Sequence, residues 1–207
     1  MWGAGLPFVT REGRLIIVTL LLLASLAWVY FDWIIFASIL GLVSLSVFIF
    51  RLPVPAITSK PLGILSPCFG KILSFDRVRV EKLSAEFAKL SIRNSWYHPH
   101  VLFSPVEGKI MNVWTDLNIP GKHRRRCLFW IQTDEGDDIL IGLVLGRLSF
   151  TTSAYMQTGQ RIGQGQYCGF IYICGDVEIY MPESTRMNMI LGDKVSAGSD
   201  HIARLIH

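Results

Sequence analysis

The chain has 207 residues, of which 51% are hydrophobic and 17% charged, and a formal net charge of +4. So apolar a composition excludes a disordered chain, which needs low hydrophobicity and high charge. The excess charge is too small and too mixed in sign for a nucleic-acid binder and suits an anionic membrane surface.

Residues 1–50 carry only Arg11, Glu12, Arg14 and Asp32 as charges, so the whole excess lies downstream. From Leu15 to Phe50 the single charge is Asp32. One helix of that length would run about 54 Å, well beyond a hydrocarbon core of about 30 Å. Division at Asp32 predicts two helices, Leu15–Phe31 and Trp33–Phe50, each about 26 Å long. Trp28, Tyr30, Phe31, Trp33 and Phe36 surround the turn as interfacial aromatics, and Arg11, Arg14, Arg51 and Lys60 mark the outer ends. Basic residues at both outer ends predict a transmembrane hairpin with both termini in the cytoplasm. A hairpin dipping into one leaflet stays open as an alternative, since the segments are short and the turn lacks Gly or Pro. A cleaved signal peptide does not fit so long an apolar run.

Pro53, Pro55 and Pro61 then forbid a continuous helix and read as an extended linker. The expected division is a membrane-anchoring hairpin over residues 1–51 and a cytoplasmic β domain over 52–207. Residues 78–92 read as strand or short helix. Beyond Leu102, short β-branched and aromatic runs alternate with turn residues. Leu128–Thr133, Ile139–Leu145, Phe170–Cys174 and Val177–Met181 are the clearest, and they predict a mainly β sandwich or barrel. Two internal echoes refine this. Ser66-Pro67-Cys68-Phe69-Gly70-Lys71-Ile72 matches Ser104-Pro105-Val106-Glu107-Gly108-Lys109-Ile110, and Gly159-Gln160-Arg161-Ile162 with Gly165 matches Gly192-Asp193-Lys194-Val195 with Gly198. They suggest paired hammerhead-like turns with glycine at positive φ, and ordinary turn punctuation fits the same residues equally well. Cys68, Cys127, Cys168 and Cys174 form no Cys-x-x-Cys pair and read as reduced small hydrophobes, in keeping with the cytoplasm.

The same segments carry a resemblance. Arg11-Glu12-Gly13, Phe50-Arg51-Leu52-Pro53, the two Ser-Pro segments, and His100 ahead of Ser104-Pro105-Val106-Glu107-Gly108 follow the order of the phosphatidylserine decarboxylases, in their short bacterial and archaeal form. The most specific stretch is Gly159 to Pro182, where Val177-Glu178-Ile179-Tyr180-Met181-Pro182 resembles the family's Val-Asp-Val-Tyr-Leu-Pro. The resemblance implies a decarboxylase-like β fold at the bacterial inner membrane, with the β domain on the cytoplasmic side. In active members it implies a Gly-Ser bond that breaks by autocatalysis, leaving a pyruvoyl group as electron sink for loss of carbon dioxide. That chemistry requires a serine hydroxyl and an Asp–His pair to activate it.

The chain departs from the pattern at these positions. Counting back from Tyr180-Met181-Pro182 places the Gly-Ser pair on Cys174-Gly175, and the Asp and His of Asp-Val-His on His98 and His100. The following Asn-Arg falls on Leu102-Phe103, and the Asp of Ser-Pro-Ala-Asp-Gly on Phe69. Asn-Glu-Arg-Asn falls on Arg124–Cys127, keeping only Arg126, and a later Arg-Arg pair falls on Phe150-Thr151. Glycine at 175 has no hydroxyl, which implies a degenerate, non-catalytic member with no pyruvoyl group and no other cofactor. A shift by one places the Cys174 thiol at the nucleophile, but Ile173 then replaces the glycine of the strained turn. The one Gly-Ser dipeptide, Gly198-Ser199, sits in a predicted hammerhead turn.

Arg51 and the run Lys122, Arg124, Arg125 and Arg126 are the candidate contacts to lipid or a partner, a basic residue near anionic headgroups contributing about 1 kcal/mol. A solvated loop is the plainer reading of that run. His98 and His100 would face one side if extended, but the sequence supplies no third ligand and no metal is expected. Asp134–Asp138 reads as a hairpin turn, its spacing being wrong for calcium. The expected protein is a membrane-anchored pseudoenzyme, partnered by membrane lipid and other membrane-protein subunits, with a structural, assembly or accessory role. Its alternatives are an active decarboxylase making phosphatidylethanolamine and a phospholipid-headgroup-binding protein.

Overall fold

Without a charge to interrupt them, the aliphatic stretches on either side of Asp32 close their backbone hydrogen bonds internally as helices. The computed structural model describes residues 8–30, 32–54, 62–80, 83, 85–95, 97–118, 125–144, 153–171 and 175–206, with backbone alone at 116–118, 125, 153 and 154. It divides into two units, Met1–Val54 and Pro55–His207.

The first unit is a pair of helices, α1 (Arg11–Tyr30) and α2 (Trp33–Ile49). α1 starts earlier than hydropathy alone predicts, with Glu12 in its first turn opposite the positive end of the helix dipole. By length and composition α1 is able to cross a membrane, while α2 is a shorter apolar helix of 17 residues. Gly13, Ala24, Ala27 and Val43 are buried, and most of the aliphatic surface faces outward. The hydroxyls of Thr19, Ser25, Ser38, Ser44 and Ser46 each donate to a carbonyl three or four residues back, so none needs water. At the open end the Thr10 N–H donates to the Phe50 carbonyl at 2.9 Å and the Leu52 N–H to the Phe8 carbonyl at 2.7 Å. This short ladder clamps the two legs together.

The second unit is mainly β. In chain order its strands are β1 (Gly63–Leu65), β2 (Gly70–Val80), β3 (Ala85–Arg93), β4 (Val101–Phe103), β5 (Gly108–Asn118), β6 (Arg125–Gln132) and β7 (Asp138–Val144). There follow β8 (Ser153–Ala154), β9 (Arg161–Ile162), β10 (Tyr167–Phe170), β11 (Asp176–Pro182), β12 (Arg186–Met187), β13 (Lys194–Val195) and β14 (His201–Arg204). Of residues 78–92, Val78–Val80 end β2, Leu83 lies in a turn, and Ala85–Ile92 lie in β3, which pairs with β2 and β11. The large sheet has the order β13-β2-β3-β11-β7-β6-β5-β9 and curls into a half-barrel, and two small sheets run β1-β14-β12 and β4-β10-β8.

That order is palindromic. Exchanging β13, β2, β3 and β11 for β9, β5, β6 and β7 reproduces the large sheet, and the two small sheets exchange in the same way. The hydrogen bonds repeat as well. The Gly198 N–H donates to the Ser66 carbonyl and the Gly165 N–H to the Ser104 carbonyl, both at 2.8 Å. Ser66 Oγ donates to the Cys68 carbonyl at 2.8 Å and Ser104 Oγ to the Val106 carbonyl at 2.7 Å. Gly192 and Gly159 take φ of +94° and +87° and donate to the carbonyls of Ile72 and Ile110. The sequence echoes are therefore two copies of one unit, and the copy spanning β4 to β10 is nested between β3 and β11 of the other.

Nesting has a local consequence. Within the inner copy, β6 and β7 form a hairpin closed by the Thr133 N–H to the Asp137 carbonyl at 2.9 Å. The equivalent bond of the outer copy joins the Asn94 N–H to the Gly175 carbonyl at 3.4 Å, across the entire inserted copy. Alternation along the strands packs Ile92, Ile131, Ile141 and Ile179 into the main core. Phe87, Leu128, Leu140 and Tyr180 occupy the other face with Trp114 and Trp130, whose rings stack 6.2 Å apart.

Candidate functional site

The insertion junction brings together segments that the sequence singled out: residues 93–95 and 97–100, which follow β3, and Ile171, Gly175 and Asp176, which lie ahead of or at the start of β11. Asn94 is the tie. Its backbone N–H reaches the Gly175 carbonyl, and its side-chain Nδ2 donates to the Pro99 carbonyl at 3.1 Å. At 1% exposure it has no role as a surface residue. The His100 carbonyl accepts the Ile171 N–H at 2.8 Å, and its buried ring lies 6.0 Å from that of Phe170.

His98-Pro99-His100 lies outside any strand, running from a bend at His98 to the start of β4, and is not the strand on which both imidazoles would face one side. The His98 N–H folds back to the Ser95 carbonyl at 2.9 Å, and its ring rests 4.3 Å from that of Tyr97. His98 is half-buried while His100 is fully buried, so the two rings sit in different surroundings. Among the described residues no group of three or more His, Cys, Asp or Glu is placed to hold a metal.

Next to Gly175, Asp176 Oδ1 accepts from Arg93 Nε at 3.0 Å, and this carboxylate raises the Arg93 pKa by hydrogen bond and by charge. The pair stays reachable, the Arg93 side chain being 59% exposed. Burial, reinforced by the charge of Asp176, pushes the Cys68 thiol well above its usual range. Burial also holds Cys168 protonated, with the Ser104 hydroxyl opposing weakly. Neither thiol is a ready nucleophile. Leu102, Phe103 and the half-buried Phe69 contribute only apolar surface. A Cβ on Gly175 would sit 3.2 Å from both Ile171 Cγ2 and the Val144 carbonyl oxygen, so even a small side chain requires a slight shift.

A second polar group, which the sequence reading missed, lies on the sheet face opposite the main core. Glu178 Oε1 is 2.6 Å from Lys89 Nζ, and Glu178 Oε2 is 3.1 Å from Arg126 Nη2. The Tyr180 hydroxyl donates to Glu178 Oε2 at 2.7 Å, and burial together with the Glu178 charge pushes its pKa up, keeping it a donor. Gly142 makes room, since a Cβ there would lie 3.3 Å from Glu178 Oε2. The available signal was a lone carboxylate inside the apolar run Val177–Met181.

Arg126, expected at a lipid or partner surface, is therefore taken up by Glu178. Arg51 sits at the clamp of the helical pair, its guanidinium carbon 4.4 Å from the centre of the Phe48 ring. Cys174, Lys122 and Arg124 lie outside the described residues, as do Lys60, Phe150 and Thr151, and the Arg125 side chain is likewise not described. The Asp134–Asp138 segment is a turn, with Gly136 at φ +94°.

Compared with known proteins, the chain is similar to the phosphatidylserine decarboxylase proenzyme of Nitrosomonas eutropha, at 30% identity over 200 residues and 92% of each chain. It is 29% identical to the proenzyme of Nitrosomonas europaea over 200 residues, again 92% of each chain. With that of Aromatoleum aromaticum it shares 27% identity over 214 residues, 96% of each chain. No family model matches the chain, and no solved structure matches it.

Proposed function

This chain belongs to the phosphatidylserine decarboxylase family, and from that premise we propose that it is a membrane-associated member that binds the serine phospholipid headgroup without turning itself into a decarboxylase. The observation that carries this is Gly175. By the match of Val177–Pro182 to the family's Val-Asp-Val-Tyr-Leu-Pro, Gly175 takes the place of the serine. A pyruvoyl group made in place needs a side-chain oxygen there, and glycine offers only hydrogen. The residues at this position do not fit the group.

What remains at the junction suits recognition. Arg93 and Asp176 stand side by side as cation and anion, the complement of the carboxylate and ammonium of a serine headgroup. Asn94 ties the backbone at Pro99, between His98 and His100, to that at Gly175, which holds the two segments of the junction together. Similarity to the proenzymes over 92% of the chain favours a second reading, a working decarboxylase.

Denaturing mass spectrometry of the full chain separates the readings, together with native mass spectrometry after exchange into phosphatidylserine or phosphatidylcholine. One uncut polypeptide that retains phosphatidylserine over phosphatidylcholine is the expected result. Arg93→Gln with Asp176→Asn should lower that preference about tenfold, the loss of roughly one charged hydrogen bond. Two fragments, with carbon dioxide released from phosphatidylserine, would establish the decarboxylase instead. An uncut chain indifferent to the headgroup would return the protein to the role of accessory subunit.

A further inference from the structure

The two nested copies act as internal controls for each other, and one turn breaks their likeness. In the inner copy the turn leading to β9 is Gln157-Thr158-Gly159-Gln160; in the outer copy the turn leading to β13 is Ile190-Leu191-Gly192-Asp193. Their backbones match bond for bond. The Gln160 N–H donates to the Gln157 carbonyl at 3.2 Å and the Asp193 N–H to the Ile190 carbonyl at 3.3 Å. The Ile110 N–H reaches the Gln160 carbonyl at 2.9 Å and the Ile72 N–H the Asp193 carbonyl at 3.0 Å.

Gln157 and Thr158 show that this turn forms with polar residues at its tip. Ile190 and Leu191, 73% and 63% exposed, are therefore not required by the fold. Leaving two large aliphatic side chains in water forgoes the gain that their burial would bring.

Charge differs in the same place. Arg161 and Lys109 face each other across β9 and β5, and Arg161 Nη2 is held by Asp134 Oδ1 at 2.7 Å. Their counterparts Lys194 and Lys71 face each other across β13 and β2. The position equivalent to Asp134 is Ser95, and among the described residues neither lysine has an ion-pair partner. Like charges directly opposed in a sheet are unfavourable unless something else neutralises them. The one carboxylate of the turn, Asp193, spends Oδ2 on the Ile190 N–H at 3.0 Å. Lys71 lies along the turn, its Cε 3.7 Å from where a Gly192 Cβ would be.

We propose that this turn, with Ile190 and Leu191 at its tip and Lys71 and Lys194 behind it, is a bilayer-contact site that enters the headgroup region of an anionic membrane. Two aliphatic side chains backed by two uncompensated lysines form the combination that partitions into such an interface: the tip enters the acyl boundary and the ammonium groups meet lipid phosphates. The proposal rests on the comparison of the two copies and is independent of what the insertion junction binds.

The test places an environment-sensitive fluorophore on Leu191→Cys or, as matched control, on Thr158→Cys in the full chain. Cys68, Cys127 and Cys168 are buried, and unsubstituted protein carried through the labelling gives the blank. Both probes share the same helical anchor, so a difference between them reports the turn alone. In vesicles containing phosphatidylglycerol, the 191 probe should shift to the blue and be quenched by doxyl lipids, while the 158 probe stays aqueous. Lys71→Gln and Lys194→Gln should each weaken this insertion about fivefold. A 191 probe as water-exposed as the 158 probe in those vesicles overturns the proposal. So does a 191 probe already shielded in detergent and blind to doxyl lipid, which would place a protein there instead.

Discussion

Truncating Glu178 to alanine is expected to lower the stability of the β unit by about 3 kcal/mol. The carboxylate side chain is 9% exposed and receives Lys89, Arg126 and the Tyr180 hydroxyl together. Its removal leaves two cations facing each other in a region poor in water, and leaves the Tyr180 donor without its acceptor. Lys89 and Arg126 are 18% and 23% exposed, which recovers part of their hydration and sets the expectation at the low end for a buried pair. Replacing the whole set as Glu178→Leu, Lys89→Met and Arg126→Met should return stability to within about 1 kcal/mol of the parent, because desolvation of the three charges disappears with them. Urea unfolding of the full chain in mild detergent, followed by tryptophan fluorescence, measures both. If the alanine variant loses less than about 1 kcal/mol, the cluster behaves as an ordinary surface ion pair.

Gly108→Ala and Gly70→Ala should each cost about 3 kcal/mol. A Cβ at Gly108 would lie 2.2 Å from the Gln132 carbonyl oxygen, and one at Gly70 2.3 Å from that of Arg93. Both obstacles are backbone atoms of paired strands, which have no rotamer to retreat into, so the methyl has to force the strands apart. Gly142→Ala is the graded control. The nearest atoms to its Cβ belong to the side chains of Glu178 and Tyr180, at 3.3 Å, and a loss of about 1 kcal/mol suffices for them to yield. Equal losses at 70 and 108 are what equivalent positions in two copies demand. Tolerance of alanine at both would contradict the close strand approach on which the nested architecture depends.

Much of this architecture was readable in advance where the determinants are local. The uncharged runs around Asp32 gave the helical pair. The repeated Ser-Pro-x-x-Gly-Lys-Ile segments announced equivalent turns, since a serine hydroxyl caps its own turn two residues on and the next glycine admits a neighbouring strand. Residues 78–92 were ambiguous because their alternation of charge and hydrophobe suits either element, and for the described residues pairing of β2 with β3 and of β3 with β11 decides it. For His98 and His100 the even spacing suggested a shared direction, but Pro99 and the Ser95 turn give the two rings different environments. Arg126 read as one more cation in a basic run. Its commitment to Glu178 was hidden because Glu178 lies on another strand, β11, far along the chain.

By itself the sequence determined an apolar helical pair, a mainly β unit with paired glycine turns, and the absence of a hydroxyl at position 175. These follow from composition, from short-range periodicity and from the identity of single residues. Only the tertiary structure decided that one copy is inserted into the other, that Asn94 ties the two ends of that insertion together, and that Lys89, Arg126, Tyr180 and Glu178 share one buried site. The physical reason is that strand pairing joins residues through backbone hydrogen bonds at any separation along the chain. Which strands become neighbours is settled by burial of both sheet faces at once, a property of the whole unit that no short segment expresses.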